Sequence, residues 1–255
     1  MQKKRKNKGN ILLMKYLTRF WLFLLFFLSG GSSFATHAIG GEMTYRCLGS
    51  NQYEITYVFY RDCGALAAPS MMSLNVTNSC GYTNPFTFLT PVSSKKINFT
   101  CTPNLSDCNS GGYFGVERWV YRGTITLNGP CDDWTFSHTE SSRSQMITTL
   151  QANSNLYVYA RVDNTQGCFD SPVFREPNLP VSCLYNSYCA DNLVDKTNSD
   201  LIIYNLITPL IAPGTNATYS SLSYTATQPI STDLPPVFDS LTGTICFQPN
   251  TVEFG

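Results

Sequence analysis

YEITYVFY, residues Tyr53 to Tyr60, sets Tyr53, Ile55, Tyr57 and Phe59 against Glu54, Thr56, Val58 and Tyr60 along the chain. Successive side chains of a strand point to opposite faces, so this alternation predicts a β-strand with one large aromatic face. Its aromatic and β-branched residues are those that suit a pleated surface. Just upstream, Glu42 to Leu48 is a second run of the same kind, and Gly49-Ser50-Asn51-Gln52 between them predicts a hairpin turn.

The same period recurs outward from this hairpin. Met72-Leu74-Val76, Phe86-Phe88, Ile97-Phe99-Cys101 and Leu156-Val158-Ala160-Val162 are further alternating runs. VERWVYRGTITL (Val116–Leu127) predicts a long strand, with a bulge expected at Gly123 because glycine inside a strand often marks one. No window of a dozen residues carries helical apolar spacing without a Gly or Pro interrupting it. The expectation is an all-β protein built from sandwiches.

The N-terminus reads as an export signal. Lys3, Lys4, Arg5, Lys6 and Lys8 form a basic region, and Phe20 to Leu28 is an apolar core of nine residues. A bilayer-spanning helix needs about 20 apolar residues. Ser33-Phe34-Ala35 offers small residues for cleavage, placing a signal peptide at 1–35. Seven of the 17 basic residues and none of the 17 acids lie in that leader, which leaves 10 basic against 17 acidic groups and a formal charge of −7. Such a chain lacks the basic footprint that nucleic acid or anionic lipid requires. Localisation is expected to be secreted or at the cell surface, with no transmembrane helix after cleavage.

All ten cysteines follow the leader: Cys47, Cys63, Cys80, Cys101, Cys108, Cys131, Cys168, Cys183, Cys189 and Cys246. An even count behind a signal peptide predicts a disulfide framework whose pairing the sequence leaves open. A zinc site is the weaker reading, since no C-x-x-C occurs and no histidine neighbours the closest pairs.

Composition changes near residue 170. Three prolines, Pro172, Pro177 and Pro180, fall within nine residues, which suits an extended linker. The expected organisation is an N-terminal disulfide-rich β-sandwich at 36–168, a Pro-rich linker at 169–180, and a second immunoglobulin- or cadherin-like sandwich at 181–255. Strands are expected in the last part at Leu201–Leu206, Tyr219–Ala226 and Gly243–Phe247. These are fewer than the seven or so of an immunoglobulin-type sandwich, so the second domain reads as incomplete at its C-terminus.

Six segments together resemble the N-terminal region of large secreted surface proteins of the Bacteroidetes, of the gliding-motility-associated and PKD- or cadherin-like adhesin type. They are HAIGGEMTYRCLGSNQYEITYVFYRDC (His37–Cys63), GVERWVYRGTITL (Gly115–Leu127), CDDWTFS (Cys131–Ser137), SPVF (Ser171–Phe174), LIIYNLITPL (Leu201–Leu210) and LTGTICFQPN (Leu241–Asn250). The resemblance implies tandem β-sandwich domains, an adhesive role and export by type IX secretion through a C-terminal sorting domain that this chain does not carry. Two positions depart from the family pattern. Ser141-Ser142-Arg143 stands where relatives have adjacent cysteines before the arginine, so the pairing usual for those cysteines does not carry over. Asp195-Lys196-Thr197-Asn198-Ser199-Asp200 replaces an acidic D-x-D-G-D loop.

That loop supplies the metal candidate: Asp195, Asn198 and Asp200 could give a weak calcium site three oxygens, with Lys196 set against it. Calcium takes six to eight. Asp132-Asp133 is a second acidic pair, and a solvated turn is the plainer reading of both. No cofactor is otherwise expected. His138, with Ser137, Glu140 and the Asp132-Asp133 pair nearby, is the one place that groups hydrolytic residue types, but no G-x-S-x-G or H-E-x-x-H surrounds it. No catalytic residues are assigned, and the chain is read as a non-enzyme. Tyr53, Tyr57, Trp119, Tyr121, Trp134, Tyr157 and Tyr159 are more aromatics than one face of a small sandwich is expected to bury. Exposed, they would stack on sugars or anchor a protein. The function expected is therefore a surface adhesin-like or structural protein that binds a protein or glycan partner, and the alternative is a carbohydrate-binding module of a larger glycan-active protein.

Overall fold

The computed structural model describes residues 38–64, 67–97, 108, 112, 114–152, 154–175, 182–190, 194–195 and 201–253. The expected leader at 1–35, Cys101, residues 176–180 of the Pro-rich stretch, and Asn198 and Asp200 lie outside them. Residues 35–255 form one compact unit. No helix among the described residues is long and apolar enough to cross a membrane.

The protein is all-β. Seven strands carry it: β1 (Ala38–Gly49), β2 (Gln52–Asp62), β3 (Met72–Thr77), β4 (Thr87–Ile97), β5 (Val116–Thr126), β6 (Trp134–Glu140) and β7 (Leu156–Val162). They form an antiparallel sheet in the order β1-β2-β5-β4-β3-β6-β7. β4 is the strand that turns the sheet over. Its start, Thr87–Leu89, pairs with β3, whereas Thr90–Ile97 pairs with β5 across a bulge between Pro91 and Ser93. The sheet thus folds into two layers, β1-β2-β5-β4 against β3-β6-β7. Inward side chains from both build one core around Tyr53, Ile55, Tyr57, Phe59, Leu74, Trp134 and Phe136. Each large side chain buried there contributes roughly 1.5–3 kcal/mol.

The expected first hairpin is present. Ser50 and Asn51 sit at φ of 51° and 60°, and positive φ at both central residues is what a type I′ turn between twisted strands requires. The aromatic side of β2 is fully inside, with Tyr53, Ile55, Tyr57 and Phe59 at 0–1% exposure. Its other side is buried too where Val58 and Tyr60 pack on Val116 and Val120 in a second, smaller cluster.

Gly123 marks no bulge. The β2–β5 ladder runs unbroken through it, with Gly123 opposite Ile55. A Cβ at that position would lie 2.8 Å from the Leu89 Cδ2 and 2.9 Å from the Phe88 carbonyl oxygen. Glycine is therefore needed for the close approach of β4, and the irregularity sits in β4 itself.

The open edge of β1 is covered by the start of the Pro-rich stretch. Ser171 donates through its backbone N to Tyr45 O at 2.9 Å, and its Oγ accepts from Tyr45 N at 2.8 Å. Asp170 Oδ1 accepts from Cys47 N at 2.7 Å, and Cys47 is bonded to Cys168. An exposed strand edge is a template for unwanted pairing, and these bonds blunt it. At the far end of the sheet, Tyr45 Oη donates to Arg161 O on β7 at 3.1 Å, which draws the first and last strands together.

The disulfide framework is present. Cys47–Cys168, Cys63–Cys108, Cys80–Cys131 and Cys189–Cys246 are bonded, Cys183 is also in a disulfide, and no described cysteine is free. Such a set fits a non-cytoplasmic, oxidising compartment.

The C-terminal part is built from short strands: β8 (Val173–Phe174), β9 (Tyr188–Ala190), β10 (Val194–Asp195), β11 (Leu210–Ala212), β12 (Thr215–Asn216), β13 (Val237–Phe238) and β14 (Ile245–Phe247). Only the last of the three strands expected there forms, in the small sheet β13-β14-β9. Residues 201–208 alternate between exposed and half-buried but enter no ladder. One bond, Tyr204 N to Ser240 O at 2.9 Å, holds their centre. Residues 219–226 fold into turns, closed by reciprocal 3.1 Å bonds between Thr225 and Gln228. Contacts cross the expected domain boundary: Ile147 and Leu150 pack on Ala217, and Arg143 Nη2 donates to Leu210 O at 3.1 Å.

Candidate functional site

The strand alternation that builds the core also separates the residues grouped around His138. On β6, Trp134, Phe136, His138 and Glu140 point inward, while Thr135, Ser137 and Thr139 point out. The His138 ring is 5% exposed. Its Nδ1 lies 2.8 Å from Ser73 O and its Nε2 lies 3.4 Å from Glu140 Oε2. Tyr57 packs on it with ring centroids 5.1 Å apart. Ser137, on the opposite face, cannot share a proton with it. Asp133 is engaged elsewhere, since its Oδ1 accepts from Ser79 N at 2.9 Å. That bond holds the Asp133 carboxyl below the usual carboxylate range.

The buried ionisable groups are engaged locally. Arg143, 6% exposed, donates from Nε to Asn155 O at 3.0 Å as well as to Leu210 O, and burial lowers it to about 10. Arg61 pairs with Glu117 at 2.7 Å, and the same carboxylate oxygen accepts from Trp119 Nε1 at 2.7 Å. Burial raises the Tyr57 phenol, and the Glu140 carboxylate adds to the effect. Its Oη has no hydrogen-bond partner. Arg61, Glu117 and Arg143 are thus engaged with neighbouring strands and backbone carbonyls rather than open to a ligand.

Of the two metal candidates, only the acidic pair lies wholly among the described residues. Asp195 lies in β10, its backbone paired with Val173, and its two expected companions are outside the described residues. Cys80, Cys131, Asp132 and Asp133 bring their ligand atoms within 4.8 Å of one another. The two sulfurs are joined in a disulfide, so two carboxylates are what remains, far short of calcium's six to eight oxygens.

The aromatics divide in a way the sequence does not show. Tyr53, Tyr57, Tyr121 and Trp134 are at most 1% exposed, which corrects the expectation that such a set overflows the core. The two-layer fold gives them two inner faces. Trp134 donates from Nε1 to Gly129 O at 3.0 Å and stacks on Tyr82. Trp119 is half-buried against Tyr121. Only Tyr157 and Tyr159 stay outside. They stand on the outer face of β7 with rings 5.7 Å apart and nearly parallel, and Tyr159 is 47% exposed.

Their surroundings make a distinct surface. Ser137 is the cross-strand neighbour of Tyr159 on one side and of Asn75 on the other. Thr139 faces Tyr157, and Thr77 and Thr135 lie in the next row beside Arg161. On the far side of β3, Ser73 faces Phe88. Phe88 and Phe86 meet edge to face at 4.9 Å, and both are exposed, at 47% and 66%. The outer face of this layer is thus a floor of hydroxyls and one amide between two aromatic pairs. Among the described residues Arg161 is the one cation of this face, at the end where its charge favours the ionised forms of Asp133 and Asp163. Phe88 is the residue sequence reasoning misses here: period 2 gives the alternation with Leu89 but not which of the two goes in. No family model matches the chain, and no curated protein or solved structure matches it.

Proposed function

We propose that the protein is a secreted or cell-surface adhesin-like module that binds a partner and does not convert it. The observation that carries this is the outer face of β3, β6 and β7, where the exposed Phe86–Phe88 pair and the Tyr157–Tyr159 pair, with Tyr159 exposed and Tyr157 half-buried, flank neutral hydrogen-bonding side chains. Rigid aromatics with small hydroxyl and amide residues are a composition that binding surfaces use for contact at low entropic cost. The internal groups support the same reading, because His138 and Glu140 are engaged with each other and with the backbone inside the core. Resemblance of His37–Cys63 and the five later segments to Bacteroidetes gliding-motility and cadherin-like surface proteins gives the adhesive role its context. The second reading, a carbohydrate-binding module serving a larger glycan-active protein, is favoured by the same face.

The test uses the exported chain coupled to beads. Beads are expected to adhere to glycan- or cell-coated surfaces, and mass spectrometry of the soluble phase is expected to find every probe unchanged. Turnover of a glycan or peptide panel that disappears in His138→Ala would overturn the binding reading.

A further inference from the structure

The aromatic pairs on the outer face are set at opposite edges of one layer. Phe88 is on β4 and Tyr157 and Tyr159 are on β7, with β3 and β6 between them. At the usual strand spacing, three steps separate the pairs by about 14 Å. The floor between them offers the exposed Asn75, Thr77 and Thr139 and the half-buried Thr135, while Ser137, between Asn75 and Tyr159 in the ladder, is 5% exposed. Hydroxyls and amides both donate and accept. A ligand matching them must carry both functions along its length and offer apolar ring faces at its two ends.

A protein partner fits this poorly. Interface cores are apolar and well packed, yet the floor carries no aliphatic side chain. Acidic polymers fit poorly too, since Arg161 is the face's one cation and the chain after the leader carries a surplus of acids. An extended neutral polysaccharide meets each requirement: its hydroxyls match the floor, and the C–H faces of its sugar rings lie well against aromatic rings, whose faces are electron-rich.

Resting on the binding reading above, we infer that the outer face of β3, β6 and β7, bounded by Phe86 and Phe88 on one side and Tyr157 and Tyr159 on the other, is the binding site for an unbranched neutral glycan. The chain crosses the strands, with one ring on each aromatic pair and the sugars between them hydrogen-bonded to the floor.

The experiment is calorimetric titration of the whole exported chain with linear hexasaccharides of glucan, xylan, mannan and galactan type, and with a hyaluronan hexasaccharide as the acidic probe. At least one neutral hexasaccharide is expected to bind, and the acidic one more weakly. Tyr159→Ala and Phe88→Ala should each raise Kd about tenfold, the effect of losing one anchor. Arg122→Ala, exposed on the opposite layer, should leave Kd unchanged. Because Tyr159 and Phe88 are exposed, their variants should keep the wild-type thermal transition to within a few degrees. Failure of every neutral probe, preference for the acidic one, or unaltered Kd in both folded variants overturns the inference. Beads that still adhere when the two variants do not weaken glycan binding would refute this site while leaving the binding function standing. Beads that never adhere would remove that function itself.

Discussion

Residues 38–162 and residues 182–253 solve the same problem with different means. The first region has strands of six to twelve residues paired in one seven-stranded sheet. It buries Trp134, Tyr57, Tyr121, Phe59 and Phe136 completely. The second has strands of two or three residues and leaves Leu201, Ile203, Ile207, Leu222, Leu234 and Leu241 more than 60% exposed. Where long strands alternate two-faced residues, burial of one face holds the layer, and Cys63–Cys108 and Cys80–Cys131 add ties to it. Where they do not, a covalent tie and turn hydrogen bonds carry more of the load: Cys189–Cys246 bonds directly paired residues of β9 and β14, and Asp239 Oδ1 accepts from Leu241 N at 2.8 Å. The difference teaches that all-β character is not one source of stability but at least two.

Alkali should separate the regions most sharply. Burial holds the phenols of Tyr57 and Tyr60 above their ordinary value, and that of Tyr121 at about 12. A tyrosine whose folded pKa is raised contributes stability that is complete below its unfolded value near 10 and is lost as pH rises through the folded value. The sheet of residues 38–162 is therefore expected to unfold cooperatively between about pH 10 and 12. Tyrosinate absorbance at 295 nm and circular dichroism should change together. Full tyrosinate absorbance, buried rings included, reached near pH 10 with the sheet intact would break the comparison, because the first region would then not depend on those rings.

Trp134→Ala comes next. It removes the largest buried side chain of the core and its bond to Gly129 O. Loss of about 3–5 kcal/mol in denaturant unfolding is expected. A loss below about 1 kcal/mol would mean that this core is no tighter than the exposed aliphatics of the second region.

Replacing both Cys189 and Cys246 by alanine should cost about 2–4 kcal/mol, and the cost should stay local. Hydrogen exchange is expected to speed up in 186–190 and 237–247 while the amides of β2 and β5 keep their protection. Equal acceleration in both regions would show that the small sheet braces the large one, and the contrast drawn above would have to be given up.

Much of the first region is legible from its residues, and the reason is local. The period-2 run at Tyr53–Phe59 needs only its own alternation to declare a strand and its buried side, and Ser50-Asn51 needs only positive φ to close the hairpin. Leu156–Val162 is read the same way, with Val158 and Ala160 packed inward as the alternation requires. At Leu201–Leu206 the same kind of signal misleads. The alternation is real, but a ladder also needs a neighbouring strand with an open edge, and no local pattern contains that neighbour. The candidate site shows the same limit. Tyr157 and Tyr159 stand out as aromatics in the sequence, but their role as one wall of a surface depends on Phe86 and Phe88, some 70 residues earlier.

The sequence by itself determined that this chain is β-rich, that its cysteines are paired, and that Tyr53, Ile55, Tyr57 and Phe59 share a face, because each follows from neighbours along the backbone or from composition. Tertiary structure alone decided the strand order β1-β2-β5-β4-β3-β6-β7 and the cysteine partners. It also decided that Gly123 admits the β4 backbone, that His138 looks in while Ser137 looks out, and that Phe88 looks out while Leu89 looks in. A strand's alternation is the same in either orientation, and a one-residue change of register exchanges its faces. Which face meets the core is settled only when the second layer arrives to cover it.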